Sequence, residues 1–382
     1  MKLTILSVGY PFAAVGPGAV GGAEQILSRL DRALVANGHK SCVIAPADSY
    51  TWGQLFPVRS VNALIDDELR HITYAEVRLL LETAIGECRP SVVHLHGVDF
   101  YHYLPSVPVP TLVTLHLPIS FYPREIFCLE QKNIFLHCVS DSQDRTCPPF
   151  ARLLPPIPNG VPLPPAKGIR QEERKFALCL SRVAPEKNVH SAIEAARLAG
   201  VDLQIAGRVF PYPSHQRYFD EEIQPRLSKR YRFLGPVDEP TKWSLLARAR
   251  CLLQPSLAAE TSSLVAMEAL ASATPVIAFR SGALPDIVTD NKTGFLVNTV
   301  EEMAAAINKV ERLNPKDCRT AAKTQFGLDC MIQQYFAVYR YLVGTHGSGS
   351  GVRVPGDVDV RRLTRGSASL PNAISSPSFF LT

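Results

Sequence analysis

The sequence predicts an α/β protein with two doubly wound parallel-sheet domains, and three observations lead to this prediction. Short apolar segments, typical of buried parallel strands, alternate with longer stretches of helical spacing along both halves of the chain. A proline-dense stretch over residues 155–165 separates the halves as a stiff linker. A chain of 382 residues is long for one hydrophobic core and sufficient for two.

In the first half, a helix predicted over residues 22–37 connects the first two strands. Apolar side chains recur at helical spacing from Ile26 to Leu34, and Gly38 provides a stop after the last turn. Gly16, Gly18 and Gly21 precede this helix with GxGxxG spacing, but no acidic residue ends the second strand, so an NAD enzyme is disfavoured. The strands predicted in this half are residues 3–8, 41–45, 92–95, 111–115 and 134–139.

The second half repeats the alternation of strands and helices. Thr299 is predicted to cap a helix in which Met303, Ile307 and Val310 form one apolar stripe. A last helix is predicted over residues 332–342. The strands predicted in this half are residues 176–180, 202–206, 232–234, 251–254 and 275–279.

Two carboxylates bracket a predicted helix start in the segment AAETSSLVAMEALA. If the helix includes both, Glu260 and Glu268 lie roughly 12 Å apart along its axis, about the length of a nucleotide diphosphate sugar from hexose to ribose. One carboxylate could then bind hexose hydroxyls and the other ribose hydroxyls. The backbone N–H groups of Ser262, Ser263 and Leu264 at the helix start would meet the diphosphate.

Two basic residues follow the first strand of the second half. Arg182 and Lys187 come just after this apolar strand, at the end where open α/β sheets bind ligands. Two cations at this place can neutralise a diphosphate and stabilise the charge that grows on it as it leaves. In the first half, Gly21 and Gly22 let the backbone approach a phosphate closely at the start of a helix.

Together with further short segments, these motifs resemble the retaining glycosyltransferases of family 4. The resemblance covers nearly everything from residue 1 to about residue 342. Taken in this order the pieces are specific, although each alone would be weak. The further segments are GGAE at 21–24, TLH at 114–116, VS at 139–140, PNGV at 158–161, AG at 206–207, FLG at 233–235 and GFLV at 294–297.

The resemblance implies the GT-B architecture, in which two Rossmann-like domains face each other across a cleft. It implies an acceptor-side domain over residues 1–160, a donor-binding domain over residues 161–330, and a helix over residues 331–345 that crosses back to the first domain. The composition of residues 346–382, rich in Ser, Pro, Gly and Arg, predicts a disordered tail.

The resemblance also assigns roles to individual residues. Gly207 belongs to the donor-binding half. His116 ends a predicted strand at the place where the family keeps a histidine beside the reacting sugar, although His94, His96 and His102 lie nearby as competitors.

The chain departs from the family at four positions. Ser181 and Asn188 stand where the family often has glycine, and Ser262-Ser263 replaces a common aromatic-glycine pair. Backbone donation to a phosphate survives a change from glycine to serine if φ stays negative. Donor binding is therefore retained as an expectation, while donor identity and turnover are left open.

Composition excludes several other classes of function. The net charge of +5 is mild and forms no basic stripe with interleaved aromatics, so nucleic acid is not expected as a partner. The nine cysteines show neither CxxC spacing nor a disulfide framework, which favours a reducing cytoplasm. The sequence Asp357-Val-Asp359 in the tail resembles a metal-binding DxD but follows no predicted strand, so no metal and no other cofactor is expected. No segment is expected to span a membrane, and peripheral association at the inner membrane face is left open.

The predicted activity is the transfer of a hexose, with retention, from a UDP- or GDP-sugar to an acceptor hydroxyl. Arg182 and Lys187 would clamp the diphosphate, Glu260 would orient the donor sugar, Glu268 would hold the ribose, and His116 would line the acceptor side. The acceptor would be a sugar, a lipid-linked molecule or another small molecule, and the oligomeric state is open. Two alternatives also stay open. The first is a nucleotide-sugar epimerase or hydrolase of the same architecture, and the second is a non-catalytic protein that binds sugar nucleotides.

Acceptor contacts are expected from the variable loops of the first half. These loops span residues 10–20, 47–59 and 96–103. Their aromatic side chains suit either stacking on sugar rings or ordinary loop packing. They are Phe12, Tyr50, Trp52, Phe100, Tyr101 and Tyr103.

Overall fold

The computed structural model of the protein describes residues 1–61, 65–150, 152–165 and 174–347. The described chain divides into two compact units. The first contains Met1–Cys138, Cys147–Pro155 and the chain from Phe336 onward, and the second contains Val139–Thr146 and Pro156–Tyr335. Each unit is built on one parallel sheet, so the predicted fold of two Rossmann-like domains is confirmed.

The first unit contains a seven-stranded sheet in the order β3-β2-β1-β4-β5-β6-β7. The strand order reverses between β1 and β4, as in doubly wound folds that bind ligands beyond the carboxyl ends of the strands at that point. Its strands are β1 Thr4–Val8, β2 Lys40–Pro46, β3 Gln54–Val58, β4 Val92–Leu95, β5 Thr111–Leu115, β6 Ile134–Cys138 and β7 Leu153–Leu154, and its helices include α1 Gly22–Ala36 and α2 Asp67–Cys88.

The second unit contains a six-stranded parallel sheet in the order β10-β9-β8-β11-β12-β13, which reverses between β8 and β11. Its strands are β8 Phe176–Leu180, β9 Asp202–Ala206, β10 Tyr231–Phe233, β11 Ala249–Gln254, β12 Val276–Phe279 and β13 Gly294–Val297. Its helices include α3 Asp141–Thr146, α4 Val189–Ala199, α5 Pro213–Tyr218, α6 Glu239–Arg248, α7 Leu264–Ala271, α8 Leu284–Ile287, α9 Val300–Ile307 and α10 Pro315–Gln325.

The predicted strands are confirmed to within two residues at each end, and most of them are apolar runs buried on both faces of their sheet. The edge strand β10 is the exception, since none of its residues is buried. The cap predicted at Thr299 is also confirmed, since its side chain accepts a hydrogen bond from the backbone N–H of Glu302. The loop predicted over residues 47–59 is partly wrong, because Gln54–Val58 forms the edge strand β3. Pro57 is tolerated there because an edge strand leaves one row of backbone groups unpaired.

The last helix, α11 Leu328–Gly347, is longer at both ends than the predicted span of residues 332–342. Its residues up to Tyr335 belong to the second unit and those from Phe336 to the first. Residues 346–347, the first two of the predicted tail, belong to this helix instead. The rest of the predicted tail, with its Asp357-Val-Asp359 sequence, lies outside the described residues. None of the helices in the described part of the chain combines the length and the apolar character that crossing a membrane requires.

Buried apolar side chains cover both faces of each sheet. In the second unit one cluster lies under α4 and α9, and another lies under α6, α7 and α10. In the first unit Phe100 and Tyr103 are fully buried in the main cluster, which makes these two rings packing residues, so sugar stacking by them is excluded. Tyr50, by contrast, is 59% exposed and remains available at the surface.

Candidate active site

In the second unit, the loops that follow β8 and β11 bring Lys187 and Glu260 together. The Lys187 Nζ lies 2.5 Å from Glu260 Oε1, although the two residues are 73 positions apart. Their side chains are only 15% and 12% exposed. Because β8 and β11 flank the point where the strand order reverses, this ion pair occupies the place where an open α/β sheet binds its ligand.

The backbone of Glu260 is held by the loop between β12 and α8. The Ala283 N–H donates to the carbonyl of Glu260 at 2.6 Å, and the Ser281 hydroxyl donates to the carbonyl of Ala258. Gly282 has φ of +52°, and a Cβ at this position would lie 2.4 Å from the Glu260 backbone nitrogen. Only glycine therefore fits, and this close approach holds the backbone of Glu260 in place.

The predicted spacing of the two glutamates on one helix is wrong. The helix begins at Leu264, so Glu260 lies in the preceding loop and the axial rise per residue does not apply to it. The sequence contained the reason, because Ser263 is a strong N-cap residue and ends the loop there. Only Glu268, in the second turn of α7, has the predicted helical position.

The start of α7 offers backbone donors next to Glu260. The Ser263 hydroxyl accepts from the Ala266 N–H at 3.4 Å and has φ of −121°, so the replacement of glycine leaves the backbone unstrained. The N–H group of Leu264 belongs to the first turn, which has no helical partner. The buried hydroxyl oxygen of Ser262 has no hydrogen-bond partner in the described part of the chain.

Glu268 is paired with a residue that sequence reasoning missed. The Lys242 Nζ lies 2.7 Å from Glu268 Oε1, and the Glu268 side chain is 2% exposed. Lys242 lies on α6, which packs against α7. Nothing in the sequence marks this lysine, apart from its position two turns before a buried strand.

Arg182 and Asn188 occupy the same loop as Lys187. The Arg182 side chain is 45% exposed and lies 3.4 Å from Glu186, so it is accessible for a ligand. Asn188 has φ of +55°, the left-handed conformation that asparagine tolerates better than most residues other than glycine. This explains how asparagine stands where the family often has glycine. Its side chain also donates to the carbonyl of Pro255 at 3.1 Å, which ties the two loops together.

Gly207 has a role in packing at this site. Its φ is +154°, and a Cβ here would lie 1.7 Å from the carbonyl oxygen of Ser181. The Gly207 N–H already donates to the carbonyl of Gly235 at 2.9 Å, so it is not available to a phosphate. Gly207 therefore permits the loops after β8 and β9 to approach each other.

In the first unit, Gly21 and Gly22 begin α1 as predicted, with Gly21 as the N-cap residue. The carboxylate of Glu24 folds back over this helix start, since a Cβ on Gly21 would lie 1.8 Å from Glu24 Oε2. Burial raises the pKa of Glu24 above its usual value. The first turn of α1 thus already faces a carboxyl group of the same chain.

His116 follows β5 and is stacked on His96, which follows β4. The two ring centroids are 5.3 Å apart, and His96 Nδ1 lies 3.0 Å from His116 Nε2. His116 is 9% exposed and His96 is 2% exposed. Burial lowers the pKa of His116 to about 3, so its ring is neutral near pH 7. His102, one of the predicted competitors, stacks on Tyr74 instead.

Beside this pair lies a chain of hydrogen bonds in which the donor and the acceptor of each bond can be assigned. His137 Nδ1 lies 3.0 Å from the carbonyl of Cys138, which can only accept, so this nitrogen carries the hydrogen. Its Nε2 then accepts from the Thr114 hydroxyl at 2.7 Å, and that oxygen accepts from His94 Nε2 at 2.7 Å. His94 Nδ1 accepts from the Tyr339 hydroxyl at 2.8 Å. The chain joins three strand ends to α11.

The described residues contain no group of three or more His, Cys, Asp or Glu side chains placed to hold a metal ion. Cations near the candidate site in the second unit include the side chains of Arg182, Lys187 and Lys242. Positive charge for a diphosphate is therefore available from the chain itself.

Two family models match the chain. Residues 20–139 match the model described as Glycosyltransferase Family 4, and residues 165–325 match the one described as Glycosyl transferases group 1. The chain is 26% identical over 368 residues to the glycogen synthase of Mycobacterium tuberculosis, covering 81% of this chain and 86% of that protein. It is 25% identical over 319 residues to the phosphatidyl-myo-inositol mannosyltransferase of Mycolicibacterium smegmatis, covering 75% and 80%.

The fold is also similar to that of a solved structure, Anabaena HepE in complex with UDP-glucose. The TM-score is 0.67 at 18% identity, covering 89% of this chain and 100% of that one. The two parallel-sheet domains and the matched family models define a glycosyltransferase of GT-B fold that uses a nucleotide-sugar donor. Both halves of the chain thus match models of glycosyltransferase families, and the predicted resemblance to glycosyltransferase family 4 is confirmed.

Proposed function

We propose that this glycosyltransferase moves a hexose, with retention and without a metal ion, from a UDP- or GDP-sugar to an acceptor hydroxyl. The observation that carries the proposal is the ion pair of Lys187 and Glu260 beside the start of α7. The pair places a cation and a carboxylate beside the backbone N–H groups of a helix start, at the ligand-binding edge of one sheet.

Lys187 and Arg182 are proposed to bind the diphosphate and stabilise its charge as it leaves. Lys187 donates one hydrogen to Glu260 and has two further N–H groups for phosphate oxygens. Arg182 contributes a planar donor set on an accessible side chain. These two cations supply charge that a metal ion provides in other transferases, which supports the metal-independent proposal.

Glu260 is proposed to orient the donor hexose through its hydroxyls. Its carboxylate is engaged by Lys187, which favours a positioning role over attack on the sugar. We therefore assign no covalent nucleophile. A same-face substitution, in which the leaving phosphate helps to take the acceptor proton, would retain the configuration.

Glu268 is proposed to bind the ribose hydroxyls, with Lys242 holding its carboxylate. A carboxylate has two oxygens and about four acceptor positions, so a bond to Lys242 leaves capacity for ribose. The backbone N–H groups of Ser262, Ser263 and Leu264 are proposed as phosphate donors.

The glycines contribute through the backbone in this proposal. Gly207 shapes the donor-binding loop by close packing. Gly21 and Gly22 are proposed to approach the donor, and the Glu24 carboxylate is the group that a phosphate would displace from the start of α1. His116 is proposed to serve the acceptor side of the reaction.

The relatives suggest which substrates to test first. HepE binds UDP-glucose by its description, and the mycobacterial relatives are named for glycogen and for mannosyl transfer to phosphatidyl-myo-inositol. UDP-glucose and GDP-mannose are therefore the first donors, and glycogen and phosphatidyl-myo-inositol are the first acceptors. A cytoplasmic location, with peripheral contact to the inner membrane face for a lipid acceptor, belongs to the same proposal.

Mass spectrometry of products from each donor, with and without each acceptor and with excess EDTA, tests the proposal. Glycosylated acceptor with unchanged yield in EDTA and retained anomeric configuration by NMR is the expected result. Epimerised donor or free hexose would indicate an epimerase or hydrolase, and binding without turnover would indicate a non-catalytic protein. Lys187→Ala should abolish most transfer, whereas Lys229→Ala, on an exposed residue of the same unit, is the matched control.

A further inference from the structure

His96 contains a buried ring nitrogen that no group in the described part of the chain satisfies. Its Nδ1 lies 3.0 Å from His116 Nε2, but its Nε2 has no hydrogen-bond partner there. The residue is 2% exposed. A buried polar atom without a partner costs stability and is rare in folded proteins, so it points to a bound group.

The position of His96 in the sheet is that of a ligand-binding residue. It is the first residue after β4, and its backbone N–H donates to the carbonyl of Val8 at the end of β1 at 2.9 Å. Because β1 and β4 flank the reversal of strand order, ligands of such sheets bind beyond these two ends.

The turn after His96 is tightly held. A Cβ on Gly97 would lie 2.1 Å from the hydroxyl oxygen of Tyr103, and that hydroxyl donates to Asp99 at 2.6 Å. Phe100 and Tyr103 anchor the same turn in the core. The His96 ring is therefore preorganised, which lowers the entropy lost on binding.

We propose that His96 binds an acceptor hydroxyl through Nε2 and, through Nδ1, determines which nitrogen of His116 carries the hydrogen. The proposal rests on the transferase function proposed above. In this scheme His96 is a binding and positioning residue of the acceptor side, and the ligand class is a polyol such as a sugar or an inositol ring.

The coupling follows from the chemistry of two neutral imidazoles. If an acceptor hydroxyl donates to His96 Nε2, the hydrogen of His96 lies on Nδ1 and is donated to His116 Nε2. The hydrogen of His116 must then lie on its Nδ1. If instead His96 Nε2 donates to the hydroxyl oxygen, His96 Nδ1 accepts from His116 Nε2 and the order reverses. Burial lowers the pKa of both rings, which keeps the pair neutral near pH 7.

Two substitutions separate the two contacts. The side-chain amide of His96→Asn replaces the Nδ1 position and keeps a partner for His116, but it does not reach the Nε2 position. The longer amide of His96→Gln replaces the Nε2 position and loses the contact at Nδ1. His71→Gln, on an exposed residue of α2, is the matched control.

The first measurement is long-range proton–nitrogen NMR of protein labelled with ¹⁵N-histidine, which identifies the tautomer of each ring. In the unaltered protein, glucose or myo-inositol should shift the signals of His96 and His116 together. His116 should keep one tautomer in His96→Asn and show a mixture in His96→Gln. An unchanged His116 spectrum in His96→Gln would overturn the positioning part.

The second measurement is steady-state kinetics, which gives KM and kcat separately. The acceptor is glycogen or phosphatidyl-myo-inositol, whichever the protein uses. The acceptor KM should rise about tenfold in His96→Asn, as expected for one lost hydrogen bond, and stay within about threefold in His96→Gln. The kcat should fall about tenfold in His96→Gln only. Equal effects of the two substitutions on KM would overturn the binding part.

The two proposals fail in different ways. If transfer occurs and depends on Lys187 while the His96 variants behave like His71→Gln, the inference on His96 is wrong and the proposed function stands. If no transfer occurs, the proposed function is wrong. The concerted NMR shift with glucose or myo-inositol in the unaltered protein, which needs no turnover and no variant, then still tests the inference on His96.

Discussion

Replacement of Lys187 and Glu260, singly and together, separates the stability of the ion pair from its role in transfer. Lys187→Met leaves the Glu260 carboxylate without its counter-ion, and Glu260→Gln does the same to the ammonium group of Lys187. The side chains of Glu260 and Lys187 are only 12% and 15% exposed. Each single change therefore creates an unpaired charge in a mostly buried place. The double replacement removes both charges and keeps side chains of similar volume.

The expected magnitude follows from this burial. Contacting charged residues usually show a coupling of about 0.5–3 kcal/mol in double-mutant cycles, and a pair as buried as this one should lie in the upper half. We expect the double variant to be more stable than the sum of the single effects by about 1.5–3 kcal/mol. For a domain of this size this corresponds to several degrees in the unfolding temperature.

The effects of these substitutions on transfer activity should differ from their effects on stability. Lys187→Met should lower kcat/KM by about 30-fold or more, equivalent to about 2–3 kcal/mol of lost transition-state stabilisation. The double variant should recover stability without recovering transfer, because no cation remains at this position. Thermal unfolding and steady-state kinetics measure the two effects.

Two results would refute this reasoning. Additive stability effects, within about 0.5 kcal/mol, would mean that the pair does not form in solution. Near-normal transfer by Lys187→Met would remove Lys187 from the active site. Lys229→Ala, on an exposed residue of the same unit, controls for a general loss of positive charge.

The remaining predictions concern ligand binding, packing and pH. In titration calorimetry, Glu268→Gln should weaken binding of the bare nucleoside diphosphate by about 1.5 kcal/mol for each charge-assisted bond lost. Glu260→Gln should leave that affinity unchanged and abolish transfer. Equal losses of affinity in the two variants would show that one carboxylate does not bind the ribose while the other binds the hexose. Thr114→Val should lower the free energy of unfolding by about 2–4 kcal/mol, since it removes the bonds to both His94 and His137, and an unchanged unfolding temperature would contradict the assigned donors and acceptors. Burial lowers the pKa of His116 to about 3 and of His137 to about 4, so between these values and about 6.5 the unfolded chain binds more protons than the folded one. Stability should therefore fall as the pH drops below about 6.5, by about 1.4 kcal/mol per pH unit for each such histidine, and His137→Gln should show a shallower slope in chemical unfolding.

The positions of most strands and the class of protein were available from the sequence alone, although β7 and β13 were not predicted. Buried parallel strands are apolar on both faces, so a strand such as Phe176–Leu180 is visible as a continuous apolar run. The family motifs could likewise be recognised without coordinates, because they are short, local and ordered along the chain. The edge strand Gln54–Val58 was missed because it is short, half exposed and interrupted by proline.

Local backbone chemistry was predictable only in part. Ser263 and Thr299 act as caps because their hydroxyls reach N–H groups three residues ahead, which is a property of the local sequence. The same cap at Ser263 excludes Glu260 from the helix, so the spacing estimated along one helix axis did not hold.

The tertiary structure alone decided which charges and rings meet. Lys187 is 73 positions from Glu260, Lys242 is 26 from Glu268, and His96 is 20 from His116. Whether such residues touch depends on strand order, on the packing of α6 against α7 and on the path of each loop beyond the sheet. Apolar periodicity specifies which face of an element is buried, but it carries no information on which distant element will cover that face.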